Sequence, residues 1–220
     1  MTGPQFRKLQ AVLHYTVLMD LAFQPLHGRY VRLEPFHPAL KEEVRAAVDC
    51  DPDTWAIMPT CAMGEHFEEY WSSALSAPPT ERLPYAIRRL ADSRIVGMSS
   101  FYTALASQGG VEIGSTFLHP DVRSGPVNPE SKMLMLAHAF ASGMVRVQFR
   151  VDMRNQRSQA AVAKLGAVRE GVLRRDRLTW TGFIRDTACF SILDREWPEV
   201  KQRLEGRLAL FPLQEAPPIR

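Results

Sequence analysis

Residues 111–132 read VEIGSTFLHPDVRSGPVNPESK, and the order of residue types in this stretch decides the fold. The first eight alternate as a β-strand does and then run into a polar loop. A helix is predicted after the loop because its opening positions suit a helix start: Asn128 is a good N-cap, Pro129 fits the first turn, and Glu130 favours the positive end of the helix dipole. The stretch therefore predicts a strand, a loop and a helix in that order.

The same unit follows a second time over residues 145–166, which read VRVQFRVDMRNQRSQAAVAKLG. Residues 145–151 alternate as a strand, Asn155 is a predicted N-cap, and Gly166 is a predicted helix stop. Two such units in succession require a right-handed crossover between two parallel strands. Because each helix follows the carboxyl end of a parallel strand, we expect both helix starts at the same edge of the sheet.

The rest of the chain predicts antiparallel strands with helices before and after them. Short turns separate the strand-like runs ahead of the first unit, which predicts an antiparallel meander. The predicted strands are 30–35, 83–90, 94–102, 110–118, 167–174 and 184–193; the further predicted helices are 38–48, 64–77 and 194–208; residues 51–59 are predicted to form a loop. The fold class is therefore mixed α/β, or α+β, in one domain, with a mostly antiparallel sheet that contains a central parallel pair.

Length and composition are those of an ordinary globular domain with extensions. Of the 220 residues 45% are hydrophobic and 23% are charged, which excludes disorder, collagen and coiled coil for the chain as a whole. We expect an N-terminal extension over 1–25, the domain over 26–198, and a C-terminal helix and tail over 199–220. Polar residues interrupt the apolar run of residues 1–24, so an accessory helix or strand is predicted there rather than a secretory signal.

Charge and cysteine content narrow the choice of partners. The net charge of +3 suits an anionic small molecule and is too weak to predict nucleic-acid binding. No run of 18 apolar residues occurs, so no membrane partner is predicted. The three cysteines have no C-x-x-C spacing, which predicts neither a disulfide framework nor a metal site and favours a reduced, cytoplasmic protein.

The two predicted helix starts are candidate phosphate sites. Helix N-termini offer unpaired backbone N–H groups and a positive dipole, which together suit an anion. Near the first start lie Arg123, Ser124, Gly125 and Lys132. The pattern predicts a phosphate-bearing ligand, although any helix needs a cap and any loop tolerates glycine, so a purely structural interpretation stays open.

Both units, together with the segment NQRSQAAVAKLGA over 155–167, resemble the core of the GCN5-related N-acetyltransferases (GNAT). LHGRYVRLEP over 26–35 and FSILDREWP over 190–198 resemble the boundaries of the branch that holds the ribosomal-protein N-terminal acetyltransferases RimJ and RimL. The resemblance covers 26–198, and the 155–167 segment is its most specific part. It implies a parallel pair splayed to hold acetyl-CoA as co-substrate, with a primary amine as acceptor.

The resemblance also assigns residues that hold acetyl-CoA. The strand ending at Leu118 and the loop after it would bind the pantetheine and the pyrophosphate, the asparagine matching Asn155 helps bind the cofactor, and the serine matching Ser158 lies near its sulfur. The implied cofactor-binding residues are Leu118, Arg123, Ser124, Gly125, Val127, Asn128, Asn155 and Lys164.

One residue departs from the pattern of the family. The family loop is usually R/Q-x-x-G-x-G/A, whereas residues 123–128 read RSGPVN. Pro126 stands where a glycine donor is expected, and proline has no N–H to donate. Gly125 beside it would let the loop shift its register. The sequence therefore leaves two outcomes open, a repaired phosphate cradle or a weakened one.

Three side chains are candidates for proton transfer. A free α-amine has a pKa of about 7.7 to 8.0 and lysine about 10.4, so an α-amine acceptor needs less help from a base. Glu112 lies where the resemblance places a general base; the alternative is a strand carboxylate paired with an arginine. Ser158 would donate to the leaving thiolate, or it serves only the helix start. Tyr102 is a rival donor, or it is a packing residue.

The acceptor side has weaker candidates. Residues 55–59 follow the pattern W-x-x-M-P, so Trp55 and Met58 are expected to form a wall for the acceptor, unless this aromatic loop only covers the core. A run of arginines follows the second unit, at Arg169, Arg174, Arg175 and Arg177. It suits the ribose phosphate of CoA or an acidic acceptor, and a solvated strand face is its alternative.

These residues predict an enzyme that transfers an acetyl group directly from acetyl-CoA to an amine, mainly by positioning. The N–H of Leu118 would polarise the thioester carbonyl. The acceptor stays open between a protein N-terminus, an amino acid, a polyamine and an antibiotic amine. The alternative is a catalytically degenerate CoA-binding or interaction module; a third interpretation is a scaffold without acyl-CoA affinity. A homodimer is implied only by the resemblance, because many such proteins pair through exposed sheet edges or the last helix.

Overall fold

The structure is a computed structural model and describes residues 21–212. Residues 1–20 of the expected N-terminal extension and 213–220 of the expected tail lie outside the described residues. The described part contains one eight-stranded sheet with the order β1-β2-β3-β4-β5-β6-β8-β7. Its strands are β1 (Leu26–His27), β2 (Val31–Pro35), β3 (Arg82–Arg89), β4 (Ile95–Tyr102), β5 (Gly110–Leu118), β6 (Arg146–Asp152), β7 (Val168–Leu178) and β8 (Ile184–Leu193).

The pairing of the strands confirms the predicted fold class. Strands β2 to β5 form an antiparallel meander, while β5 and β6 are parallel and are joined through a helix. On the other side, β6 pairs antiparallel with β8, and β8 with the edge strand β7. The antiparallel sheet with one internal parallel pair is therefore as the two strand-loop-helix units predict.

Six α-helices cover the sheet within residues 21–212. They are α1 (Lys41–Val48), α2 (Pro52–Ala56), α3 (Phe67–Ser76), α4 (Val127–Ala141), α5 (Gln156–Leu165) and α6 (Trp197–Ala209). No helix of this part of the chain is long and apolar enough to cross a membrane.

The predicted loop at 51–59 is wrong, because α2 lies inside it. Asp51 adopts a left-handed backbone with φ 59°, and its side chain accepts a hydrogen bond from the N–H of Thr54. Pro52 then takes the first helical position, where its missing N–H costs no intrahelical bond. Residues 51–53, which read DPD, are typical of a helix start, but the helix that follows is only about one turn long.

The start of α4 also differs from the prediction. The helix begins at Val127, and Asn128 lies within its first turn rather than at the N-cap. Pro126 takes the N-cap position with a helical backbone and makes no side-chain cap, while its carbonyl accepts from the N–H of Glu130 at 3.0 Å. A proline is pre-set for this backbone and loses nothing there, so the helix starts earlier than Asn128.

The second helix start is confirmed in detail. The Asn155 Oδ1 accepts from the N–H of Ser158 at 2.9 Å, and Gly166 ends α5 with φ 99°. Positive φ is cheap only for glycine, which explains the stop.

Glu130 lies in the first turn of α4, as predicted, and it has a second role that the sequence did not predict. The side chain is 2% exposed, and its carboxylate accepts from the N–H groups of Arg29, Tyr30 and Val31 at 2.7, 2.6 and 2.8 Å. It therefore fixes the turn between β1 and β2 onto α4. This turn comes close enough that a Cβ on Gly28 would lie 2.6 Å from the Glu130 carboxylate.

The core has two layers, one on each face of the sheet. One layer contains Val111, Phe149 and Phe190 from the strands, together with residues of α4, α5 and α6. The other contains Met98 and Phe117 together with residues of α1, α2 and α3. Side chains alternate along each strand, so neighbouring residues of β5, β6 and β8 face different layers.

The parallel pair separates soon after it begins. Strands β5 and β6 pair only from Gly110 opposite Arg146 to Glu112 opposite Gln148. Farther along, β5 has a register shift against β4, with Ser115 at φ 46°. The two strands therefore part beyond Glu112 and leave a gap inside the sheet.

Candidate active site

A cavity of about 390 Å³ fills the gap between β5 and β6. This volume lies in the range typical of small-molecule sites. Its walls are the ends of both strands, the starts of α4 and α5, and the region of α2. The two helix starts thus meet at one edge of the sheet, as their positions after parallel strands predicted.

The lining of the cavity is strongly cationic, although the whole chain is nearly balanced in charge. Its acidic residues are Glu112 and Asp152, whereas its basic residues are Arg123, Lys132, Arg150, Arg157, Lys164, Arg177, Arg185 and Arg207. This concentration of positive charge suits a phosphate-bearing ligand. The net charge of +3 suits such a ligand but does not show that the positive charge is concentrated here.

The loop before α4 forms the phosphate end of the cavity. It is lined by Arg123, Ser124, Gly125 and Asn128, and Ser124 has φ 66°. The first N–H groups of a helix have no partner within it, so Val127 and Asn128 each have a free backbone donor. Asn128 lines the cavity, whereas the Val127 side chain is packed in the core and does not. Pro126 and Pro129 offer none. The loop therefore fits an anion with fewer backbone donors than a glycine-rich loop would supply.

Arg123 fastens this loop to its surroundings. Its Nη2 donates to the Leu118 carbonyl at 3.0 Å, and the guanidinium also forms an ion pair with Asp51. Asp51 in turn caps α2 and accepts from the Thr54 hydroxyl at 2.6 Å. Arg123 thus links the phosphate loop to α2, and sequence reasoning missed Asp51 because its partner lies 72 residues away.

The backbone of Leu118 faces the gap. The N–H of His119 donates to the Val96 carbonyl of β4 at 2.8 Å, and Leu118 is the residue before it, opposite Gly97. In an antiparallel pair, such bonds alternate along the strand, so the N–H of Leu118 points away from β4 and towards β6. It is therefore available as a donor in the cavity.

Glu112 lies in the cavity without an ion pair. Within residues 21–212 no arginine or lysine nitrogen lies within 4.0 Å of its carboxylate, and the Gln148 Nε2 donates to it at 3.3 Å. Burial raises the pKa of the Glu112 carboxyl above its usual value, against the opposing effect of Arg150 and Arg177. The structure thus does not favour the interpretation of a salt-bridged strand residue.

Asn155 and Ser158 have different roles at the start of α5. The Asn155 side chain caps the helix, so the Ser158 hydroxyl is not needed for capping, and it has no hydrogen-bond partner among residues 21–212. Ser158 and Lys164 line the cavity, as does Arg157, whose Nη2 donates to the Thr54 hydroxyl at 2.7 Å.

Among the expected acceptor residues, Trp55 does not reach the cavity. Its side chain is fully buried, stacks on Phe117 with ring centroids 4.7 Å apart, and donates to the Val48 carbonyl. Met58 and Tyr102 do line the cavity, and the Tyr102 hydroxyl hydrogen-bonds the Ser115 hydroxyl at 2.6 Å. Trp55 therefore supports the wall from behind.

Lys132 is a buried cation of the cavity lining. Its Nζ donates to the hydroxyls of Ser99 and Thr116 at 3.0 and 2.5 Å, and the side chain reaches no carboxylate within residues 21–212. Burial lowers the pKa of Lys132 to about 7. The sequence predicted that Lys132 lies near the helix start, but it did not predict that the side chain is buried against Ser99 and Thr116.

The mixed sheet that opens at its parallel strands, with two helix starts at the opening, is the architecture of an acetyltransferase. A family model described as acetyltransferase (GNAT) domain matches residues 31–168, more than half of the chain. The chain therefore belongs to the GNAT family, and it is an N-acetyltransferase.

Solved structures agree with this family. A protein from T. thermophilus, assigned as an acetyltransferase, is 37% identical with a TM-score of 0.75 over 84% of this chain and 97% of that one. A GCN5-related N-acetyltransferase from Brucella melitensis is 28% identical with a TM-score of 0.79, over 86% and 87% of the two chains.

A more distant structure is Mycobacterium smegmatis RimJ in complex with CoA-disulfide. It is 22% identical with a TM-score of 0.68, over 83% of this chain and 92% of that chain, and this likeness shows the fold alone. None of the curated proteins matches the chain.

Proposed function

We propose that the protein transfers an acetyl group from acetyl-CoA directly to a primary amine, on a protein N-terminus or a small molecule. The observation that carries the proposal is the gap between β5 and β6, which has cations and helix starts at one end and the half-buried Glu112 beyond. Acetyl-CoA supplies the thioester when bound. The residues of the chain hold it, orient it and move the protons.

The phosphate end is suited to the pyrophosphate of acetyl-CoA. The N–H groups of Val127 and Asn128 donate to it, and the dipole of α4 favours its charge. Arg157 at the start of α5 and Lys164 in its last turn add positive charge to the cavity lining. Arg123 is a positioning residue, because its contacts to Asp51 and Leu118 keep the loop in place.

The central part of the cavity is suited to the chemical step. Glu112 accepts the proton of the amine, and its raised pKa makes it a better base at neutral pH than an ordinary glutamate. The N–H of Leu118 donates to the thioester carbonyl, and the Ser158 hydroxyl donates to the leaving sulfur. A C–N bond forms while the C–S bond breaks, without an acyl-enzyme.

The acceptor enters from the side of α2, where Met58 and Tyr102 line the cavity. Assignment to the RimJ and RimL branch rests on the sequence segments named above and is part of this proposal.

A homodimer is also proposed, with β7 as the pairing edge, because this edge strand exposes Val172, Leu173 and Leu178. The cytoplasmic location stays a prediction.

Pro126 favours one second candidate, a CoA-binding or interaction module without turnover. The missing N–H removes a donor from the phosphate end, and the lost contact would lower the affinity for CoA. The two candidates differ in a measurable way, because only the enzyme releases free CoA when an amine is present.

Calorimetry with acetyl-CoA, followed by thiol release with a panel of amines, tests the proposal. The expected results are binding and amine-dependent release of CoA. Lys164→Gln should weaken binding several-fold, whereas Lys201→Gln, an exposed residue of α6, serves as the control and should not. Binding without release for every amine favours the second candidate, and absence of binding overturns both.

A further inference from the structure

We propose that the amine acceptor carries a carboxylate and that Arg185 binds this carboxylate in the cavity. The inference rests on the proposed acetyl transfer, and it names the chemical class of the acceptor. It comes from one side chain that residues 21–212 leave without a partner.

Arg185 lies on β8 and lines the cavity, yet it is only 3% exposed. Its Nε is buried without a hydrogen-bond partner. Nor does any other side-chain atom of Arg185 have a hydrogen bond or an ion pair within residues 21–212. Buried charged groups in proteins are nearly always paired, so a partner for this guanidinium is missing.

The neighbouring carboxylates already have partners of their own. The Nη2 of Arg150 donates to both oxygens of Asp176 at 2.6 and 2.7 Å. Arg154 binds Asp152 at 2.7 Å. Arg177, the partner of Arg185 in the register of β7 and β8, is a cation and adds repulsion. Within residues 21–212 no carboxylate forms an ion pair with Arg185, because Asp152 and Asp176 bind other arginines and the unpaired Glu112 lies more than 4.0 Å away.

Among residues 21–212, the Arg185 guanidinium is buried without the pairing that normally offsets the burial of a charge. Leaving a charge buried and unpaired costs free energy, and the cost ends when an anion binds. Burial and the positive charge of Arg177 both lower the pKa of Arg185, which reflects the same cost. A bound carboxylate would relieve it.

The location of Arg185 assigns the carboxylate to the acceptor rather than to CoA. Ala188 and Phe190 of β8 belong to the core layer of α4 and α5, where the phosphate end lies. Side chains alternate along a strand, so Arg185 and Thr187 face the opposite layer. Glu112 faces that layer too, because its neighbours Val111 and Ile113 lie in the core beneath α4. Arg185 therefore lies on the side where the amine meets its base.

Carboxylate is the anion that fits best. The guanidinium presents a planar fork of N–H donors that matches the two oxygens of a carboxylate. Arg177 lines the same cavity but is exposed, so of these two cations it is Arg185 that is buried away from water without a partner among the described residues. The acceptor is thus an amine that carries a carboxylate, such as an amino acid or a peptide with an acidic side chain.

Pairs of acceptors that differ in one charge test this inference. Turnover is measured with 4-aminobutanoate and its amide, and with Ser-Glu and Ser-Gln dipeptide amides, which keep the same kind of reacting amine. We expect at least one carboxylate member to exceed its amide in kcat/KM by about tenfold or more. In Arg185→Gln this preference should fall to about one, while acetyl-CoA binding stays unchanged. Arg174→Gln, an exposed residue of β7 outside the cavity lining, should keep it.

The stability of the variant gives an independent readout. The melting temperature of Arg185→Gln should equal or exceed that of the wild type. At saturating CoA, added N-acetyl-4-aminobutanoate should raise the melting temperature of the wild type further but should not raise that of the variant. Turnover with no preference for carboxylates, a preference for phosphoethanolamine, or loss of folding in Arg185→Gln would overturn the inference while leaving acetyl transfer intact. Absence of thiol release with every amine would overturn the proposed function itself.

Discussion

Glu112 and Tyr102 are direct cross-strand partners on β5 and β4, and Gly114 keeps the space between them open. A Cβ at position 114 would lie 3.0 Å from the Tyr102 ring and 3.1 Å from the Glu112 Oε1. The proposed base Glu112 and the acceptor-wall residue Tyr102 thus both pack closely against Gly114, which has no side chain. This arrangement ties the geometry of the site to a single glycine.

Gly114→Ala should therefore disturb the site more than the fold. One methyl group would push the Glu112 carboxylate and the Tyr102 ring apart by a few tenths of an ångström. Small displacements of this kind lower kcat, so we expect a loss of about tenfold or more with acetyl-CoA affinity retained. Steady-state kinetics and calorimetry measure the two quantities. Wild-type kcat in Gly114→Ala would contradict the close packing described here.

Glu112→Gln should lower kcat by about 100-fold or more, the usual range for loss of a general base. In the wild type, the rate should rise with pH as Glu112 loses its proton, at a pH above the ordinary value of 4.5 because burial raises its pKa. This limb should vanish in the variant. Both proteins are assayed with the same acceptor, so that the titration of the amine cancels. An unchanged pH profile would remove Glu112 from the mechanism.

Asn155→Ala and Ser158→Ala should separate binding from chemistry. Asn155 caps α5, and loss of such a cap costs about 1 kcal/mol of stability and should also weaken acetyl-CoA binding. The Ser158 hydroxyl has no structural partner among the described residues, so its removal should leave the free energy of unfolding unchanged and lower kcat. Urea unfolding and kinetics distinguish the two. A large stability loss in Ser158→Ala would show a structural role.

Lys132→Met should stabilise the protein, and most at low pH. The pKa of Lys132 is lowered from 10.5 to about 7, so between these values the unfolded chain holds a proton that the folded chain lacks. The contribution of Lys132 to the free energy of unfolding therefore rises with pH through that window. Below pH 7 the buried lysine destabilises the fold most. The gain of the variant should amount to a few kcal/mol at pH 6 and shrink by pH 9.

Urea unfolding of both proteins at the two pH values checks this, because other titrating groups cancel in the difference. A gain that does not change with pH would contradict the assignment of a buried, neutralised lysine.

The sequence predicted the parts of the fold that depend on local pattern. Strand alternation and the cap at Asn155 are properties of neighbouring residues, and the crossover between β5 and β6 follows from their order. The predicted start of α4 was wrong because both Pro126 and Asn128 are residues that can begin a helix. The fixed φ of Pro126 suits the helical backbone, so the helix begins two residues earlier than the Asn128 cap predicted.

The parts that the sequence did not predict depend on contacts between distant segments. Glu130 binds N–H groups about 100 residues away, and Asp51 pairs with Arg123 72 residues away. Trp55 and Met58 lie in the same short segment, yet one is packed behind the cavity and the other lines it. Arg185 stands out only once the structure shows which carboxylates its neighbours have taken.

A crystal structure of the protein with CoA bound tests the central claim most directly. The account predicts the pyrophosphate at the N–H groups of Val127 and Asn128, the pantetheine in the gap between β5 and β6, and the sulfur within reach of the Ser158 hydroxyl. Nucleotide bound elsewhere on the molecule, or a gap filled by the protein's own side chains, would contradict it.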